Sequence, residues 1–186
     1  MISAKHYLVI GLLSLSGCAN YFQENQSTST TPDVRSGSQI WQEHQITSEV
    51  AALNNSPQFK GKMRVSATED HSRVVLMGQA INDDTRLAAA DYVAQLSGVK
   101  KVFNQIRVKP ILSFNAISYD SWLTTKVKAE LLTEHRLDGL SIKVVTEDKE
   151  VFLSGLVSAE NAELASQVAS RVSGVKHVVK AFTYTK

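Results

Sequence analysis

Apolar positions three to four residues apart mark the best-defined helix of the chain. Leu123, Val127 and Leu131 recur at i, i+4 and i+8, which predicts an amphipathic helix with a stripe facing a core. Trp122 and Leu132 fall on the opposite side of this helix. The pattern therefore predicts a helix with one buried stripe and a second, exposed apolar line.

Alternation with a period of two follows this helix. Ile142, Val144 and Thr146 alternate with other residues, and a charged run then turns the chain into a return strand at 151–157. Ser158 suits the N-cap of an alanine-rich helix that Gly174 is placed to end. A last strand should follow, parallel to a neighbour after a right-handed crossover.

The same order of segments occurs twice along the chain. The matching pairs are 46–50 with 123–127, 68–70 with 146–148, 74–78 with 151–155, and 96–102 with 172–178. The repeat predicts two domains, at 46–112 and 118–186, joined by a linker at 113–117. We expect an α+β fold of two tandem αββαβ domains, each a three-stranded mixed sheet packed on two helices.

The N-terminal residues resemble an export signal. Lys5 precedes an apolar run at 7–15 that is too short to span a membrane, and small residues then lead to Cys18. This order is typical of a bacterial lipoprotein signal, so we expect residues 1–17 to be removed and Cys18 to be lipidated. Ala19, in place of an acidic residue after the cysteine, favours sorting of the protein to the outer membrane, where we expect it to face the periplasm. The polar stretch 18–45 is predicted to be a flexible tether.

Composition and charge exclude several classes of function. The 186 residues are 43% hydrophobic and 20% charged with a net charge of +2, which suits a globular domain and not a duplex-DNA binder. A single cysteine excludes an internal disulfide, and the five histidines show no metal-ligand spacing. Phosphate-binding and catalytic motifs are also missing from the sequence. We therefore expect no enzyme, no cofactor, no metal and no nucleic-acid partner.

The double pattern resembles the BON domain family. The resemblance rests on the hairpin strands ending at Gly78 and Gly155, the alanine-rich helices, and the Ser-Gly-Val-Lys segments around Gly98 and Gly174. With the lipoprotein signal, the whole chain is similar to dual BON-domain outer-membrane lipoproteins. The first copy departs most, with a longer hairpin turn expected at 69–73. The resemblance implies an αββαβ fold, no catalysis, and binding of anionic phospholipid through the first helix of the second domain. It also implies a role in outer-membrane integrity near the division site.

The predicted lipid-binding face lies on the helix that contains Trp122. Its residues are expected to be Trp122, Thr125, Lys126, Lys128, Ala129 and Leu132. Tryptophan suits the headgroup boundary and lysines are attracted to anionic surfaces. Three alternatives remain open: Trp122 packs on the neighbouring domain or the linker, the face docks on an envelope-assembly or cell-wall protein, or the protein is a structural spacer whose repeated domains pack together. Charge does not decide between them, because residues 113–186 hold nine basic and nine acidic side chains.

The four recurring glycines are expected to be structural. Gly78 and Gly155 lie within strand patterns, where glycine weakens a strand unless something approaches closely. We expect helix-on-strand packing at these two positions, with a ligand contact as the alternative. Gly98 and Gly174 are expected to follow the alanine-rich helices.

Overall fold

A computed structural model describes residues 36–185 of the protein. The helices are α1 (Gly37–Leu53), α2 (Asp83–Ala94), α3 (Phe114–Thr133) and α4 (Ala159–Ser170). The strands are β1 (Met63–Asp70), β2 (Arg73–Ala80), β3 (Lys101–Val108), β4 (Lys143–Glu147), β5 (Glu150–Ser154), β6 (Leu156–Val157), β7 (His177–Lys180) and β8 (Thr183–Tyr184). The expected signal, Cys18 and the start of the expected tether lie outside the described residues.

Each half of the described chain forms the predicted αββαβ unit. The first sheet has the order β1-β2-β3, with β1 antiparallel and β3 parallel to the central β2. The second sheet has the order β4-β5-β7 with the same directions, and the short β6 and β8 pair in parallel beyond it. The predicted α+β class with three-stranded mixed sheets is confirmed.

Two helices begin earlier than expected because polar caps, rather than apolar periodicity, start them. α1 begins at Gly37, inside the stretch expected to be tether, and Ser36 and Gln39 form a reciprocal capping box there. α3 begins at Phe114, inside the expected linker 113–117, where Ser113 accepts a hydrogen bond from the backbone of Ala116. The first helix of each domain therefore includes residues placed outside it by the sequence pattern.

Both hairpins close with a two-residue turn of the same shape. The turn residues His71 and Ser72 have φ of 52° and 64°, and Asp148 and Lys149 have φ of 52° and 66°. Positive φ at both central positions is typical of the type I′ turn that suits the twist of a hairpin. The longer turn expected in the first copy is therefore wrong, and Lys149 is the structural counterpart of Ser72.

Close approach of a neighbouring backbone segment, rather than helix packing, requires Gly78 and Gly155. Gly78 and Gly155 have φ of +139° and +142°, where side chains are disfavoured. A Cβ at Gly78 would lie 2.0 Å from the carbonyl oxygen of Arg64, and one at Gly155 would lie 2.4 Å from that of Ser141. The expected explanation by helix-on-strand packing is wrong, because the atoms nearest to the added Cβ belong to the backbone and not to a helix. Arg64 lies in β1, and Ser141 lies just before β4.

The other two glycines lie beyond the helix caps. α4 ends at Ser170 with Arg171 as its cap in ordinary helical geometry, so Gly174 does not end the helix as predicted. Gly98 and Gly174 have φ of +87° and +106° in the turn that follows. A Cβ at Gly174 would lie 2.3 Å from the hydroxyl of Tyr119, so this turn packs directly against α3.

The two sheets pack face to face, with the helices on the outside. Along β2, Val74 and Leu76 face the helices of the first domain, whereas Val75 and Met77 join a cluster shared with the second domain. Phe152 of β5 occupies the centre of this shared cluster. The described chain is therefore a four-layer helix–sheet–sheet–helix body with three apolar clusters.

Buried polar contacts reinforce the contact between the sheets. Glu147, only 5% exposed, lies 2.5 and 2.6 Å from the guanidinium of Arg64 and accepts a 2.7 Å hydrogen bond from Gln79. The hydroxyls of Thr68 and Ser154 meet at 2.8 Å. Because buried polar groups are costly unless paired, these bonds favour one relative orientation of the domains.

Candidate functional site

Helix α3 has one buried side and one open side. Leu123, Val127 and Leu131 are buried in the core of the second domain, which confirms the predicted core stripe. On the opposite side Trp122 is 51% exposed and Leu132 is 79% exposed. The outward direction follows from the fold, because the two sheets occupy the centre and leave the far side of each helix free.

Phe114 extends this open side by two further turns. Its side chain is 80% exposed, and its position falls on the same face as Leu132. Phe114 was not predicted as a site residue because it lies in the expected linker. The spacing 114, 118, 122 and 125 continues the exposed line once Ser113 is recognised as the N-cap. We call the side formed by Phe114, Trp122, Thr125, Ala129 and Leu132 the exposed face of α3.

Aromatic rings and lysines form a connected row at one edge of this face. The rings of Tyr119 and Trp122 lie with their centroids 5.3 Å apart. The ammonium of Lys126 lies 4.6 Å from the Trp122 ring, and that of Lys149 lies 5.2 Å from the Tyr119 ring. These separations are within the range of cation–π attraction. Trp122 thus contacts its own helix and remains half exposed, so it does not fill a gap between the domains.

The six predicted site residues all lie on α3, and four of them belong to its exposed face. Thr125, Lys128 and Ala129 are exposed, whereas Lys126 is partly covered by its contact with Trp122. Tyr119 and Lys149 were not predicted. Tyr119 had a signal, since it precedes Trp122 by one helical turn, but Lys149 is distant in sequence and reaches the helix only through the fold.

One carboxylate near the end of α3 is neutralised locally. Glu134 lies 2.8 Å from the guanidinium of Arg136, and this hydrogen bond lowers the pKa of Glu134 to about 2. Both side chains are on the surface, where such a pair contributes little to stability. The pair nevertheless reduces the repulsion that a free carboxylate would exert on an anionic surface.

The first domain supplies an internal comparison, because α1 is the counterpart of α3. Trp41 on α1 is 77% exposed, yet α1 contains neither lysine nor arginine. The counterpart of Trp122 in the repeat is Gln45. The combination of exposed apolar residues with flanking lysines therefore belongs to α3 and not to α1.

A polar cleft of about 60 Å³ lies beside α1 and is too small for a metabolite or cofactor. Its lining includes Glu69. Burial raises the pKa of the Glu69 carboxyl, although the backbone N–H of Ser72 donates a hydrogen bond to it.

Within residues 36–185 no group of His, Cys, Asp and Glu is arranged to hold a metal ion. Over the same residues, no helix is both long and apolar enough to cross a membrane.

Comparison with known proteins decides the family. Residues 42–110 and 119–186 each match the BON domain. The chain belongs to the BON domain family. The two matches correspond to the two αββαβ units, so α1 and α3 are the first helices of the first and second BON domains.

Three proteins of known name are similar to the chain. The chain is 41% identical over 133 residues to the outer membrane lipoprotein DolP of Haemophilus influenzae, covering 72% of this chain and 69% of that one. It is 34% identical over 134 residues to the 21 kDa hemolysin of Actinobacillus pleuropneumoniae, with the same coverage. The C-terminal domain of CdsD from Chlamydia trachomatis aligns with 77% of this chain and 67% of its own, at 15% identity and a TM-score of 0.31.

Proposed function

We propose that the protein is a non-catalytic lipoprotein of the outer membrane that binds anionic phospholipid through the exposed face of α3. In this proposal Cys18 holds the chain to the membrane by acyl chains and the two BON domains face the periplasm. Binding supports the integrity of the outer membrane and concentrates the protein where anionic lipids are enriched, such as the division site. The similarity to a protein named outer membrane lipoprotein supports the location.

The observation that supports the lipid role is the line of exposed apolar residues bordered by lysines on α3. Phe114, Trp122 and Leu132 expose apolar surface to water in the free protein. Contact with a membrane would bury this surface. Trp122 suits the headgroup boundary because its ring is apolar and its N–H needs a polar partner. Lys126 and Lys128 each add roughly 1 kcal/mol of attraction close to an anionic surface.

Vesicle co-sedimentation tests this role. The chain from Asn20 onward lacks the acyl anchor site and retains every described residue. We expect it to sediment with vesicles of equal parts phosphatidylglycerol and phosphatidylcholine, and to remain in solution with phosphatidylcholine alone. Trp122→Glu should abolish sedimentation while retaining the circular dichroism spectrum of the parent.

Trp41→Glu is the matched control. It replaces an exposed tryptophan of the other BON domain with the same charged residue, on helix α1, which contains no lysine. We expect this variant to bind like the parent. If the parent fails to sediment with anionic vesicles, or if both variants lose binding equally, the lipid role assigned to α3 is wrong.

The same face also suits a second candidate, docking on a protein of the envelope. Exposure near 80% at both Phe114 and Leu132 favours this candidate, because such side chains anchor protein interfaces as well. Ionic strength separates the two, since attraction to anionic lipid weakens with salt while a hydrophobic interface is less affected. If salt does not weaken binding to anionic vesicles, the apolar side chains bind without a contribution from the lysines.

A further inference from the structure

The turn between β4 and β5 forms a second wall beside α3. The buried carboxylate of Asp120 accepts hydrogen bonds from the backbone N–H groups of Asp148, at 2.7 Å, and Lys149, at 2.9 Å. These bonds fix the turn against α3. They hold Lys149 where its ammonium lies over the ring of Tyr119, next to Trp122.

Carboxylates stand on both sides of Lys149 in the sequence, and the first domain pairs with both. The ammonium of Lys109 forms an ion pair with Asp148. The guanidinium of Arg107 lies 3.3 Å from Glu150. Arg107 lies near the end of β3 and Lys109 directly follows this strand, so both ion pairs join the first BON domain to the second. Lys149 is thereby left as the unneutralised charge of its own turn.

This arrangement accounts for the distribution of charge along the chain. Residues 113–186 hold as many acidic as basic side chains, whereas residues 46–112 hold nine basic and six acidic ones. A second domain with no net charge is poorly suited to attract an anionic surface by itself. Two basic residues of the first domain instead pair with the acidic side chains beside Lys149 and offset their negative charge.

We propose that Lys149 binds the lipid phosphate beside Trp122, and that Lys109 and Arg107 are positioning residues that neutralise the carboxylates next to it. The proposal rests on the lipid-binding function proposed above and assigns part of that function to the first domain. The corresponding turn of the first domain has the same backbone shape but carries Ser72 in place of the lysine. The position equivalent to Lys149 in that turn therefore carries no charge.

The first test removes the charge of Lys149. Losing one lysine close to an anionic surface should weaken binding to the mixed phosphatidylglycerol vesicles about fivefold. Lys149→Gln should show this loss and a shallower dependence on salt, and Lys149→Arg should bind like the parent. The matched control is Lys100→Gln, because Lys100 is exposed and lies at the opposite end of β3 from Lys109.

The second test concerns the ion pair between the domains. Lys109→Met leaves the carboxylate of Asp148 free to pair with Lys149, and we expect binding to weaken about two- to fivefold. Adding Asp148→Asn to this variant should restore binding, since the competing charge is gone. A purely structural defect would remain in the double variant.

The outcomes separate this inference from the proposed function. If Trp122→Glu abolishes binding while Lys149→Gln binds like the parent, the face of α3 binds lipid and the role of Lys149 is overturned. Equal losses in Lys149→Gln and Lys100→Gln would also overturn it. If Asp148→Asn fails to restore Lys109→Met, the neutralising role of the first domain is wrong. A parent that ignores anionic vesicles overturns both proposals.

Discussion

The shared cluster between the sheets predicts that each domain stabilises the other. Phe152 is buried at its centre and points away from the core of its own domain, toward Val75 and Met77 of the first. Phe152→Ala removes these contacts and leaves a cavity between two central strands. Substitutions of this kind cost about 3–5 kcal/mol, against a total stability of roughly 5–15 kcal/mol for a typical domain.

Amide hydrogen exchange can assign that loss to each domain. β2 is the central strand of the first sheet and β5 that of the second, and both are paired on each side. We expect Phe152→Ala to lower the free energy of exchange for the amides of β2 as well as β5, although β2 lies in the other domain. Urea unfolding followed by circular dichroism should give an overall loss of about 3–5 kcal/mol.

The control is Leu132→Ala, which truncates a side chain that is 79% exposed. Its stability should remain within about 0.5 kcal/mol of the parent. Unchanged protection of β2 in Phe152→Ala, with loss confined to β5, would refute the claim that the domains form one cooperative body.

Three further results are expected from substitutions in the fold. Gly78→Ala should destabilise by more than about 3 kcal/mol in urea unfolding, because a backbone carbonyl occupies the position of the new Cβ, whereas Gly37→Ala, with open space around it, should be nearly neutral. Asp120→Ala should cost about 1.5–3 kcal/mol by thermal unfolding, since two turn amides lose a charged acceptor. Burial raises the pKa of Glu69 in the folded state above its value in the unfolded chain. Between these two pKa values the folded state keeps a proton on Glu69 that the unfolded state has lost. The contribution of Glu69 to the free energy of unfolding therefore falls as pH rises through this range. Glu69→Gln should therefore gain stability relative to the parent between acidic and neutral pH, and a difference that is independent of pH would contradict this reasoning.

The repeated fold could be predicted from the sequence because both copies carry the same local signals. Apolar spacing marked the buried stripe of α3, and alternation marked the hairpin of the second domain. The packing between the sheets also has a signal in the sequence of β2. Val74, Val75, Leu76 and Met77 form a continuous apolar run, which is typical of a strand buried on both faces.

The rest of the candidate site could not be predicted because it depends on contacts distant in sequence. Lys149 reaches Tyr119 only because Asp120 fixes the hairpin turn against α3. Lys109 meets Asp148 only because the sheets face each other in one orientation. Local periodicity carries no information about either contact. The start of α3 was missed for a different reason, since a serine cap and not an apolar residue begins it.

The most direct test of the lipid role uses the two tryptophans of the chain as separate probes, one on α1 and one on α3. Trp41→Phe leaves Trp122 as the only tryptophan, and Trp122→Phe leaves Trp41. With phosphatidylglycerol-containing vesicles we expect the emission of Trp122 to shift to the blue and to be quenched by brominated acyl chains, because its ring enters the headgroup boundary. The emission of Trp41 should not change. An unchanged Trp122 emission under conditions where the protein sediments with these vesicles would contradict the account, because the membrane would then be bound by some other surface.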